Sequence, residues 1–408
     1  MGKFDRYFLM NEKEVEEYVL LKTSDRIAWD KDTIHAVVPE EHGNLNYVFH
    51  VSDGNGNSLY VKQAGLETRI SKDMKATLDR NRLESELLML EDKLAPGMVP
   101  KVYFYDTEMS ACGMEDCSDY YVMRNAMLEH MIFPGFADEI STFMARTLLL
   151  TSDIVMDHRE KKDLQKDFIS PDLCDITEKL VLMEPYGDHM ERNRVTPENR
   201  EFVEKELYSD EKLALEVAKL KYNFMTNAQS LLHGDLHTGS IFIKEGSLKV
   251  FDCEFGTYAP AGYDIGNVIA NLLFAYVNGL SSEDEDFCRW VIDSIRDTVD
   301  LFIDKWNNLY DLKVTEPMAK TPGFKEWYLE GLLRDTAGYA GTELHRRTVG
   351  LAGVADLETI EDKEKRVIAE RICIIAGKNF ILNSRKFTSG EDYVKAIDKA
   401  VKKAYKSI

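Results

Sequence analysis

Cysteine is scarce and unpatterned in this 408-residue chain. Its six cysteines are Cys112, Cys117, Cys174, Cys253, Cys288 and Cys373, and the closest spacing is the C-x4-C of Cys112 and Cys117. That spacing matches no zinc or redox motif, so the six read as reduced structural thiols. Long apolar runs are missing as well. No stretch approaches twenty consecutive apolar residues, and the opening MGKFDRYFLMNEKEVEEYVL lacks the basic start and apolar run of a secretory signal, so a cytoplasmic protein with no membrane partner is expected. Positive charge is the third shortage. Against 72 Asp and Glu stand 51 Lys and Arg, a formal net charge of -21. A nucleic-acid partner is excluded on that ground, because a polyanion needs clustered cations to replace its counterions. Any anionic ligand must be met by a few well-placed basic side chains and a metal ion.

What is present divides in two. Residues 12–23 have helical spacing, and three strand-like runs follow at 33–38, 46–51 and 58–63. The DGNGN between the last two supplies the positive-φ residues that a hairpin requires. In residues 77–94, Leu83, Leu87, Leu90 and Leu94 make one helical stripe, stopped by Pro96-Gly97. Apolar runs at 99–106 and around YYVM at 120–123 are expected to complete a five-stranded sheet. Beyond about residue 126 the pattern is mainly helical, with amphipathic stretches at 137–153, 211–231, 284–308 and 365–382. The expected organisation is an α+β chain of two lobes, 1–115 binding nucleotide and 116–408 carrying catalysis and substrate binding.

Chemistry concentrates where short apolar runs alternate with Gly, Asp and His. LLHGDLHTGSI at 231–241 is followed by a hairpin pattern centred on Glu245-Gly246 and then by KVFDCEFGTYAPAGYDIG at 249–266. Such a hairpin should return the chain so that Asp235, Asp252 and Glu254 face one cavity. Phosphoryl transfer asks for this set: one carboxylate to orient the attacking hydroxyl and accept its proton, and others to hold Mg2+ against phosphate oxygens. Asp235 is the candidate base. Asp252 and Glu254, two apart on an extended segment, are the candidate metal ligands. A lone Asp could equally cap a turn or a helix. The rival chemical reading makes His233, Asp235 and His237 the ligands of a metal hydrolase, but His158, His189 and His345 are scattered singly and offer no further ligand with motif-like spacing.

The first lobe offers a phosphate holder. Lys62 lies in the apolar frame LYVKQA, where a lysine needs a buried anionic partner unless it sits on a solvated edge. In kinase-like lobes such a lysine binds the α and β phosphates and is held by a glutamate of the next helix. Glu84 and Glu86 both flank the apolar stripe, with Glu84 preferred. Gly43 and Asn44 sit in a turn that would let backbone approach phosphates, although an ordinary hairpin turn uses the same residues. Glu115, in the MEDCS segment, marks the hinge against which adenine would stack and bond through backbone.

Taken together, HGDLHTGS, the D-x-E of Asp252 to Glu254, Lys62 and the two-lobe order resemble the aminoglycoside phosphotransferase and choline kinase superfamily, and within it the methylthioribose kinases. GNLNYVF, TLDRNRLES, VPKVYFYDTEM, PDLCDITEKLV, GYDIGNVIANL and HRRTVGLAGVADLETI carry that resemblance over nearly the whole chain. It implies a protein-kinase-like fold, ATP and Mg2+ as cofactors, and phosphorylation of the 1-hydroxyl of 5-methylthioribose in methionine salvage. It further implies a homodimer, and substrate contacts from Asp235, Arg346 and Arg347. Adjacent arginines suit that task because guanidinium groups make several directed hydrogen bonds, although a surface salt-bridge pair would read the same. Ser240 stands where the superfamily usually has Asn, as in methylthioribose kinases. Met74 stands near an expected Trp, and Gly353 where members often carry His. A kinase for another 5-modified ribose, such as 5-deoxyribose, is the near alternative. A nucleotide-binding pseudokinase is the distant one, and it would usually have lost Lys62, Asp235 or Asp252.

Overall fold

The computed structural model describes residues 2–39, 46–65 and 79–407. It divides into two compact units, one running to Tyr120 and taking back Lys249–Phe255, the other formed by Tyr121–Leu248 and Gly256 onward.

The first unit opens with helix α1 (Glu12–Thr23), started by a capping box in which Asn11 and Glu14 exchange hydrogen bonds. Strands β1 (His35–Val37), β2 (Asn46–Ser52) and β3 (Ser58–Ala64) pair antiparallel. Gly56, at φ +83, turns β2 into β3, as the DGNGN chemistry requires. Helix α2 (Asp79–Leu94) precedes β4 (Val102–Asp106) and β5 (Ala111–Glu115), and the sheet order is β1-β2-β3-β5-β4. The fifth strand is therefore 111–115 and not the YYVM region. ACGME lacks the β-branched alternation that marks a strand, and its centre shows why: a Cβ on Gly113 would stand 2.2 Å from the Phe104 ring of β4. Alternation along β3 sends Leu59 and Val61 into a core with Val19, Phe49 and Val51, which leaves Lys62 on the opposite face.

In the second unit, β6 (Tyr121–Val122) leads into α3 (Met123–Leu128) and α4 (Phe136–Leu150). The short helices α5 (His158–Asp167), α6 (Pro171–Ile176) and α7 (Arg200–Val203) precede α8 (Glu211–Thr226). That last helix is shorter than the expected 211–231, since residues 230–232 are already β7 (Ser230–Leu232). Strands β8 (Ile241–Lys244) and β9 (Ser247–Val250) form the expected hairpin, turned at Gly246 with φ +70. Tyr121 and Val122 pair with β8, and β10 (Thr257–Ala259) pairs with β7. Helices α9 (Gly262–Ser282), α10 (Glu285–Lys313), α11 (Phe324–Val349), α12 (Ala355–Glu358), α13 (Lys363–Leu382) and α14 (Gly390–Tyr405) complete the unit. Nearly all of α9 is buried, and its glycines let α11 approach to backbone contact. A Cβ on Gly262 would meet Thr336 N at 2.5 Å, and one on Gly266 would meet Ala340 N at 2.6 Å. Among the described residues no helix is long and apolar enough to cross a membrane.

Candidate functional site

Two sets of polar residues emerge, one in each unit. In the first, Asn81 is fully buried near the start of α2 and donates to the carbonyls of Lys62 (3.1 Å) and Ser110 (2.7 Å). This pins the helix against β3. One turn later, Glu84 reaches the strand lysine, with Lys62 Nζ to Glu84 Oε1 at 2.5 Å. Glu86 instead pairs with Arg82 four residues back at 2.7 Å, so only Glu84 meets Lys62. Lys62 also donates to Asp252 Oδ1 at 3.2 Å. Burial alone would push the Lys62 ammonium down, but Glu84, Asp252 and Glu254 more than offset it and hold the pKa above the ordinary lysine value.

Asp252 reaches that position because the 249–255 segment is tied into the same unit. Val250 N donates to Met98 O at 2.8 Å, and the Cys253 thiol to Glu84 O at 3.5 Å. The segment is not a continuing strand: β9 ends at Val250, and Asp252 takes φ +66. The period-two alternation expected to aim Asp252 and Glu254 alike does not run through it. Asp252 is instead half exposed, its side chain 47% accessible, while Glu254 is buried. Glu115 stands at the end of β5, away from this group. Its carboxylate is engaged by Lys249 Nζ (2.8 Å) and Lys101 N (3.0 Å). Gly43, Asn44 and Met74 lie outside the described residues.

The second set is built on the loop after β7. Gly234 takes φ +83, which glycine adopts without penalty, and the amides of His233 and Gly234 both point at the buried Asp264 of α9, at 2.7 and 3.0 Å. With two amides and no cation beside it, this carboxyl is pushed up by burial to about 7. The Asp235 amide then donates to His233 Nδ1 at 3.2 Å, which turns the Asp235 side chain toward α11. There Arg346 Nη2 donates to Asp235 Oδ1 at 3.1 Å, and Arg347 Nη2 stands 3.9 Å from the same oxygen.

Both arginines lie in the last turn of α11, where cations complement the helix dipole, and both rest on the fully buried Glu343. Arg347 Nε donates to Glu343 Oε1 at 3.2 Å, and Arg346 Nε donates to Oε2. Burial would raise the Glu343 carboxyl, but the two guanidiniums outweigh it and keep the group ionised. Asp235 Oδ2 faces His237 Nε2 at 3.3 Å, and His237 Nδ1 meets the Ser240 hydroxyl at 3.1 Å. Burial, Arg124 and Arg347 hold the His237 imidazole below its ordinary value against the pull of Asp235. The His237 Nε2–H faces the Asp235 carboxylate as a donor. Burial pushes Asp235 up, but His237, Arg346 and Arg347 hold it well below the usual carboxylate range.

This arrangement leaves the hydrolase reading without its ligand set. His233 accepts from the Asp235 amide and His237 is turned onto the Asp235 carboxylate, so the three do not converge on a point. Among the described residues no group of three His, Cys, Asp or Glu side chains is placed to hold an ion. Sequence reasoning missed Glu343, Asp264 and Arg124. Glu343 could have been found from its spacing, three and four residues before the arginine pair on a helix.

The comparisons agree with this chemistry. The model of a family described as "Phosphotransferase enzyme family" matches residues 37–292. The chain is 41% identical to the methylthioribose kinase of Geobacillus kaustophilus over 86% of this chain and 88% of that protein. The chain belongs to the methylthioribose kinase family. To the methylthioribose kinase of Bacillus pumilus it is 35% identical over 96% of this chain and 98% of that one. A choline kinase of Cryptosporidium parvum aligns with a TM-score of 0.51 over 97% of this chain and 96% of that chain, at 12% identity, a likeness of fold alone. The α+β, protein-kinase-like fold expected from the sequence is the one observed. As a member of this family the chain is a kinase.

Proposed function

We propose that the chain transfers the γ-phosphoryl group of ATP to the 1-hydroxyl of 5-methylthioribose. Asp235 receives the sugar hydroxyl, Arg346 and Arg347 contact the sugar and offset developing charge, and Lys62, fixed by Glu84, takes the α and β phosphates. What carries the reading is the Asp235 carboxylate held ionised by Arg346, with Arg347 beside it, in a chain of this family. A carboxylate of such low proton affinity is a weak base in the ground state. Its role is first to orient the hydroxyl and exclude wrong attack angles, and to take the proton late, as the oxygen's bond to phosphorus forms.

Mg2+ commonly binds through one or two carboxylates together with substrate phosphates, and the pair Asp252 and Glu254 fits that donor set. They would hold the ion, which would supply positive charge to offset the negative charge of the phosphates. Gly43 and Asn44 are the residues that would meet the phosphates through backbone, and the backbone at Glu115 would meet the adenine. A homodimer is what the resemblance carries. The test is turnover with 5-methylthioribose, 5-deoxyribose and ribose under saturating MgATP. The highest kcat/KM should fall to 5-methylthioribose; a preference for 5-deoxyribose would contradict the substrate, and no turnover of any of the three would contradict the sugar-kinase reading.

A further inference from the structure

The kinase reading uses two arginines beside Asp235, but a third lies in the same network. Arg124, second residue of α3, has a side chain only 16% exposed. Its Nη2 donates to Asn271 Oδ1 at 2.8 Å, and its Nε stands 3.7 Å from the buried carboxylate of Asp356 on α12. Asn271 in turn donates to Glu343 Oε1 at 3.3 Å, the oxygen that Arg347 also uses. The guanidinium is thus held by one hydrogen bond and one charge contact, and Nη1 has no hydrogen-bond acceptor among the described residues. That nitrogen points at the loop carrying Asp235. A Cβ on Gly239 would meet Arg124 Nη1 and His237 Cε1, each at 2.9 Å.

We propose that Arg124 is a third guanidinium of the acceptor-sugar site, donating from Nη1 to a hydroxyl oxygen of the bound sugar. The inference rests on the sugar-kinase reading. A ribose presents neighbouring hydroxyls that each donate one hydrogen bond and accept others, and here the Asp235 carboxylate, an acceptor, stands among guanidinium donors. Asp235 takes the proton-bearing side of the reacting hydroxyl. The donors left over match the oxygen lone pairs of its neighbours. Arginine suits the place because its planar fork lets one nitrogen be anchored on Asn271 while another meets the ligand.

The experiment compares wild type with Arg124→Gln, Arg124→Lys and Gly239→Ala, the last keeping the arginine but placing a methyl against Nη1. Steady-state kinetics are measured with 5-methylthioribose varied at saturating ATP and the reverse, alongside thermal unfolding. KM for the sugar should rise about tenfold or more in both Arg124 variants, the size of a lost charge-assisted hydrogen bond, and rise also in Gly239→Ala, with KM for ATP within about twofold. A ribose analogue lacking the contacted hydroxyl, either the 2- or the 3-deoxy form, should erase the difference between wild type and Arg124→Gln. An unchanged sugar KM, a parallel rise in both KM values with a lowered melting temperature, or a difference that persists on both analogues would overturn the inference. If the Arg124 variants do not fold, Gly239→Ala decides. Wild-type turnover of 5-methylthioribose, abolished in Asp235→Asn, keeps the kinase reading standing whichever way Arg124 falls.

Discussion

Asp235 and Asp264 are neighbouring carboxyls on which opposite environments act. Asp235 has guanidiniums and an imidazole N–H around it and stays ionised far into acid. Asp264 has two backbone amides, no cation, and almost no solvent, and its pKa rises to about 7. A division of labour is part of the proposal: the ionised group would handle substrate, while the other accepts from the His233 and Gly234 amides of the loop that carries it. Asp264 also has a consequence for stability. Unfolded, it gives up its proton near the ordinary carboxylate value of 3.8; folded, it keeps it to about 7. Its contribution is full below the lower value, declines as pH rises through the window, and is gone above the upper one, a span worth up to about 4 kcal/mol. Asp264→Asn should therefore flatten the fall in melting temperature between pH 5 and 7.5 relative to wild type. Equal slopes in the two proteins would show that the carboxyl is not protonated in the fold.

At the scale of elements, the second set of residues depends on how closely α9 and α11 approach. Asp264 rides on the first turn of α9 and Arg346 on the last of α11, and the two helices meet backbone to backbone at Gly262 and Gly266. No side chain can be added there without separating them. Gly266→Ala should cost about 1–3 kcal/mol or more of stability and lower kcat/KM, because the arginine pair would be carried away from Asp235. Gly331→Ala, on the same α11 with open space around it, is the control: it should raise the melting temperature slightly through helix propensity. Thermal unfolding and steady-state kinetics on both variants check the pair. A Gly266→Ala protein as active and stable as wild type would mean that the close approach is not what sets the site.

For the molecule as a whole, legibility followed the range of the interaction. HGDLHTGS and the D-x-E announced themselves because their residues sit within a few positions of one another. Lys62 stood out as a cation in an apolar strand frame, and Glu84 differs from Glu86 only in helical phase, which needed the seat of α2 fixed by Asn81. The fifth strand escaped because a central strand packed under an aromatic ring is built from small residues rather than from alternating β-branched ones. Arg346 and Arg347 came into view through family resemblance, not through any pattern of their own. Arg124, Asn271 and Asp356 were silent because a polar residue in a helical sequence looks solvated until its neighbours are known, and these three close around the Glu343 network only in three dimensions.

The central claim is that Asp235 presents the acceptor hydroxyl to ATP. Single-turnover transfer from γ-labelled ATP to 5-methylthioribose by wild type and Asp235→Asn, with ATP affinity measured on the same samples, tests it most directly. The account predicts that the variant binds ATP within about twofold of wild type yet forms labelled sugar phosphate at least about a thousandfold more slowly, within the range that orientation and proton transfer together supply. Transfer at a near wild-type rate by Asp235→Asn would contradict it.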